Sequence, residues 1–271
     1  MVGKIACFLT CGYTEAGVMQ SFLRKINENY EFKQYLPNKT IKKKGDPKII
    51  SPELSGLTGE ALLEKIYSIL EKHRNEINQC KAILIEDDLD GKFHEYNDDD
   101  VIAYKTQIIE RVHEKLGSNL PVIIMYASPE IESWFVADWK NGFEFLYTGS
   151  DAVKDVSYNA RLLFTHHLRQ YIKNEILKEY ADNIECYGWF EGKYIKLSDE
   201  IIEAVQTKVK ENMSGFQTIN TTQLTEIVES RDLYYSKKFH GGIMLRQIQP
   251  TIVSEKCSRY FGTAYNELIK I

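Results

Sequence analysis

Three short apolar segments, separated by helical patterns, constrain the fold of this chain more than any other feature of its sequence. The segments are residues 4–10, 81–87 and 121–127, and each is followed by polar or turn-forming residues. Between them, apolar side chains recur at the spacing of one face of an amphipathic helix. Buried strands that alternate with helices predict an α/β fold with a mainly parallel sheet.

The first half of the chain has three predicted helices, at residues 14–26, 59–74 and 100–116. Thr14 is a suitable N-cap for the first of them, because its hydroxyl can accept a hydrogen bond from the free N–H groups of the first turn. Residues 27–58 are rich in lysine, proline and glycine. That composition predicts a long loop or a strand insertion.

The second half differs from the first, because its apolar spacing is helical almost throughout. No proline occurs between Pro129 and Pro250. We therefore predict an α/β domain at residues 1–140 and a mostly helical C-terminal region at 141–271 that packs against it and completes the site. The helical patterns lie at 131–138, 160–180, 198–212, 222–230 and 248–269.

The composition excludes several classes of protein. Hydrophobic residues make up 43% of the 271 residues and charged residues 27%, which excludes a fibrous or wholly disordered chain. The net charge of -5 disfavours binding to nucleic acid by charge alone but leaves room for a local basic patch. No segment approaches the roughly 18 apolar residues of a membrane span. The five cysteines form no CxxC pair and no signal peptide is recognisable, which predicts reduced thiols in a cytoplasmic protein.

The carboxyl ends of the three apolar segments carry the residues that suggest a function. In open α/β sheets functional groups collect at these ends, which here are residues 11–15, 86–91 and 128–134. The second end is the most specific, because Asp88 and Asp90 stand in a D-L-D-G sequence. Such hard oxygen ligands suit Mg²⁺, and two metals about 4 Å apart can assist phosphodiester cleavage. A solvated acidic turn is the alternative interpretation, since Asp and Gly are common in turns.

The order of these motifs resembles that of the TOPRIM-like proteins of bacterial phage defence, a broad group that includes RloB-like and OLD-like nucleases. The motifs are C-G-Y-T-E at 11–15, D-L-D-G at 88–91 and P-E-I-E-S-W at 129–134. Near the C-terminus, Y-S-K at 235–237 and C-S-R-Y-F at 257–261 resemble the ending of small TOPRIM-like families. The resemblance touches most of the chain through short motifs, and it implies a TOPRIM-like, mainly parallel sheet flanked by helices.

The resemblance also implies roles for individual residues. Asp88 and Asp90 would bind the cofactor, Mg²⁺ or Mn²⁺, with Glu15 as a further ligand, and all three would take part in catalysis. Glu132 would add to the metal-binding residues. Lys237 would act in catalysis by stabilising the charge on the phosphate in the transition state.

Cys11 departs from this pattern, because the family carries a glutamate at the matching position. A thiolate is a soft ligand and a poor partner for Mg²⁺, so the protein would be catalytically weak or inactive if that glutamate is essential. Two other roles stay open for Cys11: a nucleophile with a lowered pKa at a helix N-terminus, or a partly buried packing residue. Cys11, Asp87 and His240 are placed beside the site as its neighbours.

Together these features predict a metal-dependent nuclease that hydrolyses DNA or RNA in anti-phage defence. Lys42, Lys43 and Lys44 would contact the nucleic acid, with a solvated loop as the alternative. An ATPase or another protein of the defence operon is an expected partner, and a homo-oligomer is left open. Two other functions also stay open: a catalytically degenerate TOPRIM-like subunit that binds nucleic acid or a partner protein, and an α/β enzyme acting on a nucleotide or small phosphorylated ligand.

Overall fold

Four parallel strands form the main sheet: β1 (Gly3–Phe8), β2 (Tyr30–Leu36), β3 (Ala82–Asp88) and β4 (Val122–Ala127). Their spatial order is β2–β1–β3–β4. The computed structural model describes residues 2–10, 12, 14–15, 17–37, 57–93, 97–149, 158–212 and 235–271. This parallel sheet, flanked by helices, confirms the predicted α/β fold class.

The helices of the first half are α1 (Met19–Ile26), α2 (Gly59–Lys72), α3 (Arg74–Ile77) and α4 (Asp98–Leu116). They cover both faces of the sheet, because alternate strand residues point to opposite sides. Ile5 and Cys7 of β1 belong to one hydrophobic cluster, to which α1 contributes. Ala6 and Phe8 belong to the other, to which α2 and α4 contribute.

The second half is mostly helical, as predicted, and packs on the α1 face of the sheet. The ring of Trp134 shows this packing, since it lies 5.5 Å from the ring of Phe22 in α1 and 4.7 Å from that of Phe261. The helices are α5 (Glu132–Ala137), α6 (Phe145–Thr148), α7 (Tyr158–Tyr171), α8 (Leu197–Asn212), α9 (Gly242–Gln247), α10 (Pro250–Lys256) and α11 (Phe261–Leu268). Between them lie π-helical turns at Lys140–Glu144, Ile172–Leu177 and Lys237–Gly241, 3₁₀ turns at Lys178–Asp182 and Ile184–Cys186, and an antiparallel pair, β5 (Trp189–Phe190) and β6 (Lys193–Tyr194).

Strand β2 lies in residues 27–58, for which the sequence left a long loop or a strand insertion open, and it adds a fourth strand to the three whose positions were predicted. β2 lies at the edge of the sheet. Only Phe32, Tyr35 and Leu36 of this strand are buried, and polar residues fill most of its other positions. An edge strand can carry many polar side chains, which is why its apolar pattern was too weak to predict it.

Helix α1 begins at Met19, later than predicted, and Thr14 is not its N-cap. Gly17 has a φ of +78°, a left-handed conformation that interrupts the helical backbone before α1. Thr14 is instead buried against the π-helical turn Lys237–Gly241. The described residues between β1 and α1 therefore form a loop, and Thr14 of this loop packs against the C-terminal half.

The C-terminal segment predicted as one helix over 248–269 forms two helices, α10 and α11. The buried carboxylate of Glu185 accounts for the break, because it accepts hydrogen bonds from the N–H groups of Arg259, Tyr260 and Phe261 at 2.7, 3.1 and 3.0 Å. An acid at this place satisfies the free N–H groups that begin α11. The helix predicted at 222–230 lies outside the described residues.

The predicted domain boundary at residue 140 stays a prediction. Residues from both sides of it share one hydrophobic cluster, which includes Phe22 of α1, Met125 of β4 and Phe261 of α11. Among the helices that the structure describes, none combines the length and the apolar character needed to cross a membrane.

Candidate functional site

The centre of the sheet contains a point where the strand order reverses. From β1 the chain crosses through α1 to β2 on one side, whereas β3 pairs with the other side of β1. In open α/β sheets, ligands bind outside the carboxyl ends of the strands at such a point. Here Thr10, two residues after β1, donates both its backbone N–H and its hydroxyl to Oε2 of Glu86 in β3, each at 3.0 Å.

The alternation of β3 separates the three acids at its end. Leu84 belongs to the hydrophobic cluster of the α1 face, and Glu86 and Asp88 follow it at intervals of two, so they point to the same face. Asp87 points to the opposite face, where its carboxylate accepts the N–H of Gly59, at the start of α2, at 3.0 and 3.2 Å. Acids adjacent in the sequence thus occupy different environments.

Four carboxylates on the α1 face influence one another electrostatically, and we call them the acidic cluster: Glu15, Glu86, Asp88 and Glu132. Burial, with a smaller contribution from the charge of Glu132, raises the pKa of Glu15 from 4.5 to about 7. Burial and the charge of Glu15 raise the pKa of both Glu86 and Asp88 well above the usual values. Each of these carboxylates therefore lies within electrostatic range of at least one other member of the cluster.

Several oxygens of the acidic cluster are buried without a hydrogen-bond partner in the described part of the chain: Glu15 Oε2, Glu86 Oε1, Asp88 Oδ1 and Glu132 Oε2. The last of these lies 3.2 Å from Nζ of Lys237, so it has an ionic contact without a well-aligned hydrogen bond. Buried polar atoms normally have partners. Unpartnered carboxylate oxygens at a strand end are therefore candidates for binding a cation.

Lys237 is the cation that the structure places against the acidic cluster. Its Nζ lies 2.5 Å from Oε2 of Glu130 as well as 3.2 Å from Oε2 of Glu132. Burial alone would lower the pKa of Lys237, but the charges of Glu132 and Glu130 outweigh burial and raise the pKa. Glu130 also accepts the hydroxyl of Ser198, in α8, at 2.8 Å, so the position of the lysine depends on the helical half.

Asp90 lies beside the acidic cluster and faces a different set of residues. It adopts a left-handed conformation, with a φ of +46°, in the turn after β3. Its carboxylate lies 3.3 Å from Nζ of Lys196 and accepts the hydroxyl of Tyr194 at 3.5 Å. The ring of Tyr194 packs directly on Gly91, where a Cβ atom would come within 2.4 Å of it. The hairpin of β5 and β6 therefore fixes this turn.

Of the residues predicted from the sequence, Lys237 contacts Glu132 directly, and Glu15 and Asp88 lie within electrostatic range of both. Asp90 pairs with Lys196. The ring of His240 lies 6.4 Å from that of Tyr235, whose hydroxyl donates to Glu132, and its Nδ1 accepts the N–H of Ser236 at 3.0 Å. Cys11, Lys42, Lys43 and Lys44 lie outside the described residues. Sequence analysis missed Glu86 and Glu130 as site residues, although both belong to the strand-end motifs and only the side on which they point was unknown.

The donors of the acidic cluster are of the chemical type that Mg²⁺ and Mn²⁺ prefer, namely carboxylate oxygens. The unpartnered oxygens of Glu15, Glu86 and Asp88 are free to serve as such ligands. Within the described ranges, no group of three or more His, Cys, Asp or Glu side chains has the arrangement of a metal site. The acidic cluster therefore offers suitable donors that do not already converge on one point.

Comparison with known proteins assigns no family to this chain. No family model, no curated protein and no solved structure matches it. The resemblance to TOPRIM-like proteins stays a prediction that depends on the short motifs.

Proposed function

We propose that this protein is a Mg²⁺- or Mn²⁺-dependent nuclease that hydrolyses phosphodiester bonds in DNA or RNA. The observation that carries the proposal is the acidic cluster, with three buried oxygens that lack any partner in the described structure, at the point where the strand order reverses. On the resemblance of the motifs, we place the protein among the TOPRIM-like nucleases of anti-phage defence.

The residues of the acidic cluster would hold the metal. When bound, the metal would supply an activated water and offset negative charge on the phosphodiester. Two of the four carboxylates are held in place by hydrogen bonds, since Glu86 accepts two from Thr10 and Glu132 accepts the hydroxyl of Tyr235 at 2.6 Å. A fixed carboxylate loses less conformational entropy when it binds an ion.

Lys237 would stabilise the charge that develops on the phosphate oxygens. Its ammonium group remains charged at neutral pH, because Glu132 and Glu130 raise its pKa. Glu130 anchors it from one side. A positioned cation in a partly dehydrated site stabilises a transition state more strongly than a mobile one in water.

A cleavage assay with end-labelled single-stranded and duplex DNA and RNA, in the presence of Mn²⁺, tests the proposal. We expect Asp88→Asn to lower cleavage about 100-fold or more and to weaken the binding of Mn²⁺ measured by calorimetry. Asp90→Asn should lower cleavage less than Asp88→Asn does, because Asp90 pairs with Lys196. Asp100→Asn, which makes the same chemical change at an exposed position of α4, is the control and should cleave like the wild type.

Three outcomes separate the alternatives. Cleavage that persists in Asp88→Asn would overturn the assignment of the metal ligands. Binding of Mn²⁺ without cleavage of any substrate would favour a degenerate subunit that binds nucleic acid or a partner protein. Affinity for mononucleotides alone, without affinity for any polymer, would favour an enzyme that acts on nucleotides.

A further inference from the structure

A cavity of about 550 Å³ has no residue of the acidic cluster in its lining. It opens at the C-terminal end of α5, where Val136 and Ala137 line it, whereas Glu132 of the acidic cluster lies at the N-terminal end of the same helix. The π-helical turn Ile172–Leu177 and the end of α10 form its other walls. Its volume is within the range of about 300–1,000 Å³ that small-molecule sites occupy.

The rim of this cavity is basic, although the protein as a whole has a net charge of -5. Four cationic side chains line it, whereas only two acidic ones do, Asp182 and Glu255. One of the four, Arg259, is bound to Asp98 at 2.6 Å. The other three have no ion pair or hydrogen bond to a residue of the described ranges: Arg169, Lys173 and Lys256.

The floor of the cavity is apolar. The buried side chains of Ile172, Leu177 and Ile184 contribute to it. On the rim, the side chains of Asn183 and Ser258 can donate hydrogen bonds and have no partner within the described structure. An apolar floor below several uncompensated cations suits an anion that also carries an apolar body.

We propose that this cavity binds an organic phosphate of nucleotide size. Three separate cations match a ligand with more than one negative charge, because Lys and Arg side chains bind phosphate oxygens by charge-assisted hydrogen bonds. Asp182 and Glu255 suit the hydroxyl groups of a sugar, which acidic side chains bind in nucleotide sites. The site is independent of the acidic cluster, so this proposal does not depend on the proposed nuclease function.

Calorimetric titration of the full chain with ATP in the presence of EDTA tests the proposal, because the chelator removes any contribution of a metal. We expect ATP to bind with a Kd in the micromolar range. The variant Arg169→Gln, Lys173→Gln, Lys256→Gln should bind it about tenfold more weakly or worse. The variant Arg24→Gln, Lys65→Gln, Lys72→Gln loses the same three positive charges from exposed positions of α1 and α2 and should bind ATP like the wild type.

Two further titrations test which part of ATP the cavity binds and whether the phosphates belong to a nucleotide or to a polymer. Tripolyphosphate should bind more weakly than ATP, because it lacks a group for the apolar floor. A single strand of about 12 nucleotides that binds more tightly than ATP, with the same loss in the first variant, would assign the phosphates to a polymer and overturn the proposal of a nucleotide-sized ligand. The proposal is overturned if ATP, tripolyphosphate and the strand all fail to bind at about 1 mM, or if both triple variants bind equally. Thermal unfolding of both variants verifies that each is folded.

Discussion

Glu86 connects the two central strands at the candidate site. It has no exposed surface, and one of its carboxylate oxygens satisfies two donors of Thr10. The other oxygen lacks a partner within the described structure. The two oxygens of Glu86 therefore have separate roles: Oε2 stabilises the fold through Thr10, and Oε1 is available to a ligand.

Substitution can separate these two properties. Glu86→Ala leaves the buried N–H and hydroxyl of Thr10 without an acceptor, so we expect it to lower the free energy of unfolding by about 2 kcal/mol or more. Glu86→Gln keeps a carbonyl acceptor and resembles the protonated carboxyl that burial favours by raising the pKa of Glu86, so it should lose much less. Urea unfolding followed by circular dichroism measures both. Equal losses would show that the hydrogen bonds to Thr10 contribute nothing.

At the scale of elements, the contact between the loop before α1 and the turn Lys237–Gly241 links the two halves of the site. Glu15 lies in that loop, and Lys237 begins the turn. The close approach depends on Gly241, because a Cβ atom there would lie 2.3 Å from Oγ1 of Thr14. The next residue, Gly242, has room, since a Cβ atom there would lie 3.4 Å from Cγ2 of Val18.

This difference provides a matched pair of variants. Gly241→Ala should force the turn away from Thr14 and lower the free energy of unfolding by about 1–3 kcal/mol. It should also weaken the binding of Mn²⁺, because Lys237 and Glu15 move apart. Gly242→Ala should be neutral or stabilising, since alanine favours a helix over glycine by about 0.5–1 kcal/mol. Urea unfolding and Mn²⁺ titration of both variants measure these effects, and similar losses in the two would contradict the prediction.

At the scale of the whole molecule, the carboxylates with raised pKa values make stability depend on pH. Burial raises the pKa of Asp87 from 3.8 to about 7 and that of Glu15 from 4.5 to about 7. In this range of pH the folded chain holds protons that the unfolded chain has released. The free energy of unfolding must therefore fall as the pH rises through the interval.

Asp87 points to the other face of the sheet from the acidic cluster, and its link to the cluster is a small one, since its charge is the last of the causes that raise the pKa of Glu86. We expect the free energy of unfolding of the wild type to fall between about pH 5 and about pH 7. Over the same pH interval, the free energy of unfolding of Asp87→Asn should fall less than that of the wild type, by as much as about 2 kcal/mol. Asp100→Asn, at an exposed position, should keep the slope of the wild type. Equal slopes in all three proteins would show that Asp87 titrates normally.

The sequence by itself determined the class of the fold and the edge of the sheet where function is expected. Short apolar runs and helical spacing predicted β1, β3, β4, α2 and α4, because burial requires these patterns locally. The strand ends drew attention to Asp88, and the resemblance of the motifs to TOPRIM-like proteins added Glu15, Glu132 and Lys237 as candidates. All four come from strand ends or from the late turn, where polar residues interrupt an apolar pattern.

Only the tertiary structure decided which of these residues meet, and on which face. Glu86 and Asp88 of β3 face the α1 side of the sheet, Asp87 accepts the N–H of Gly59 on the other side, and Asp90 pairs with Lys196. Glu185 divides the C-terminal helix through hydrogen bonds to residues 74 to 76 positions away. Such effects come from contacts between residues far apart in the chain. The spacing of apolar residues carries little information about these long-range contacts. It reflects which side of a single helix or strand is buried and does not reveal which other element packs against that side.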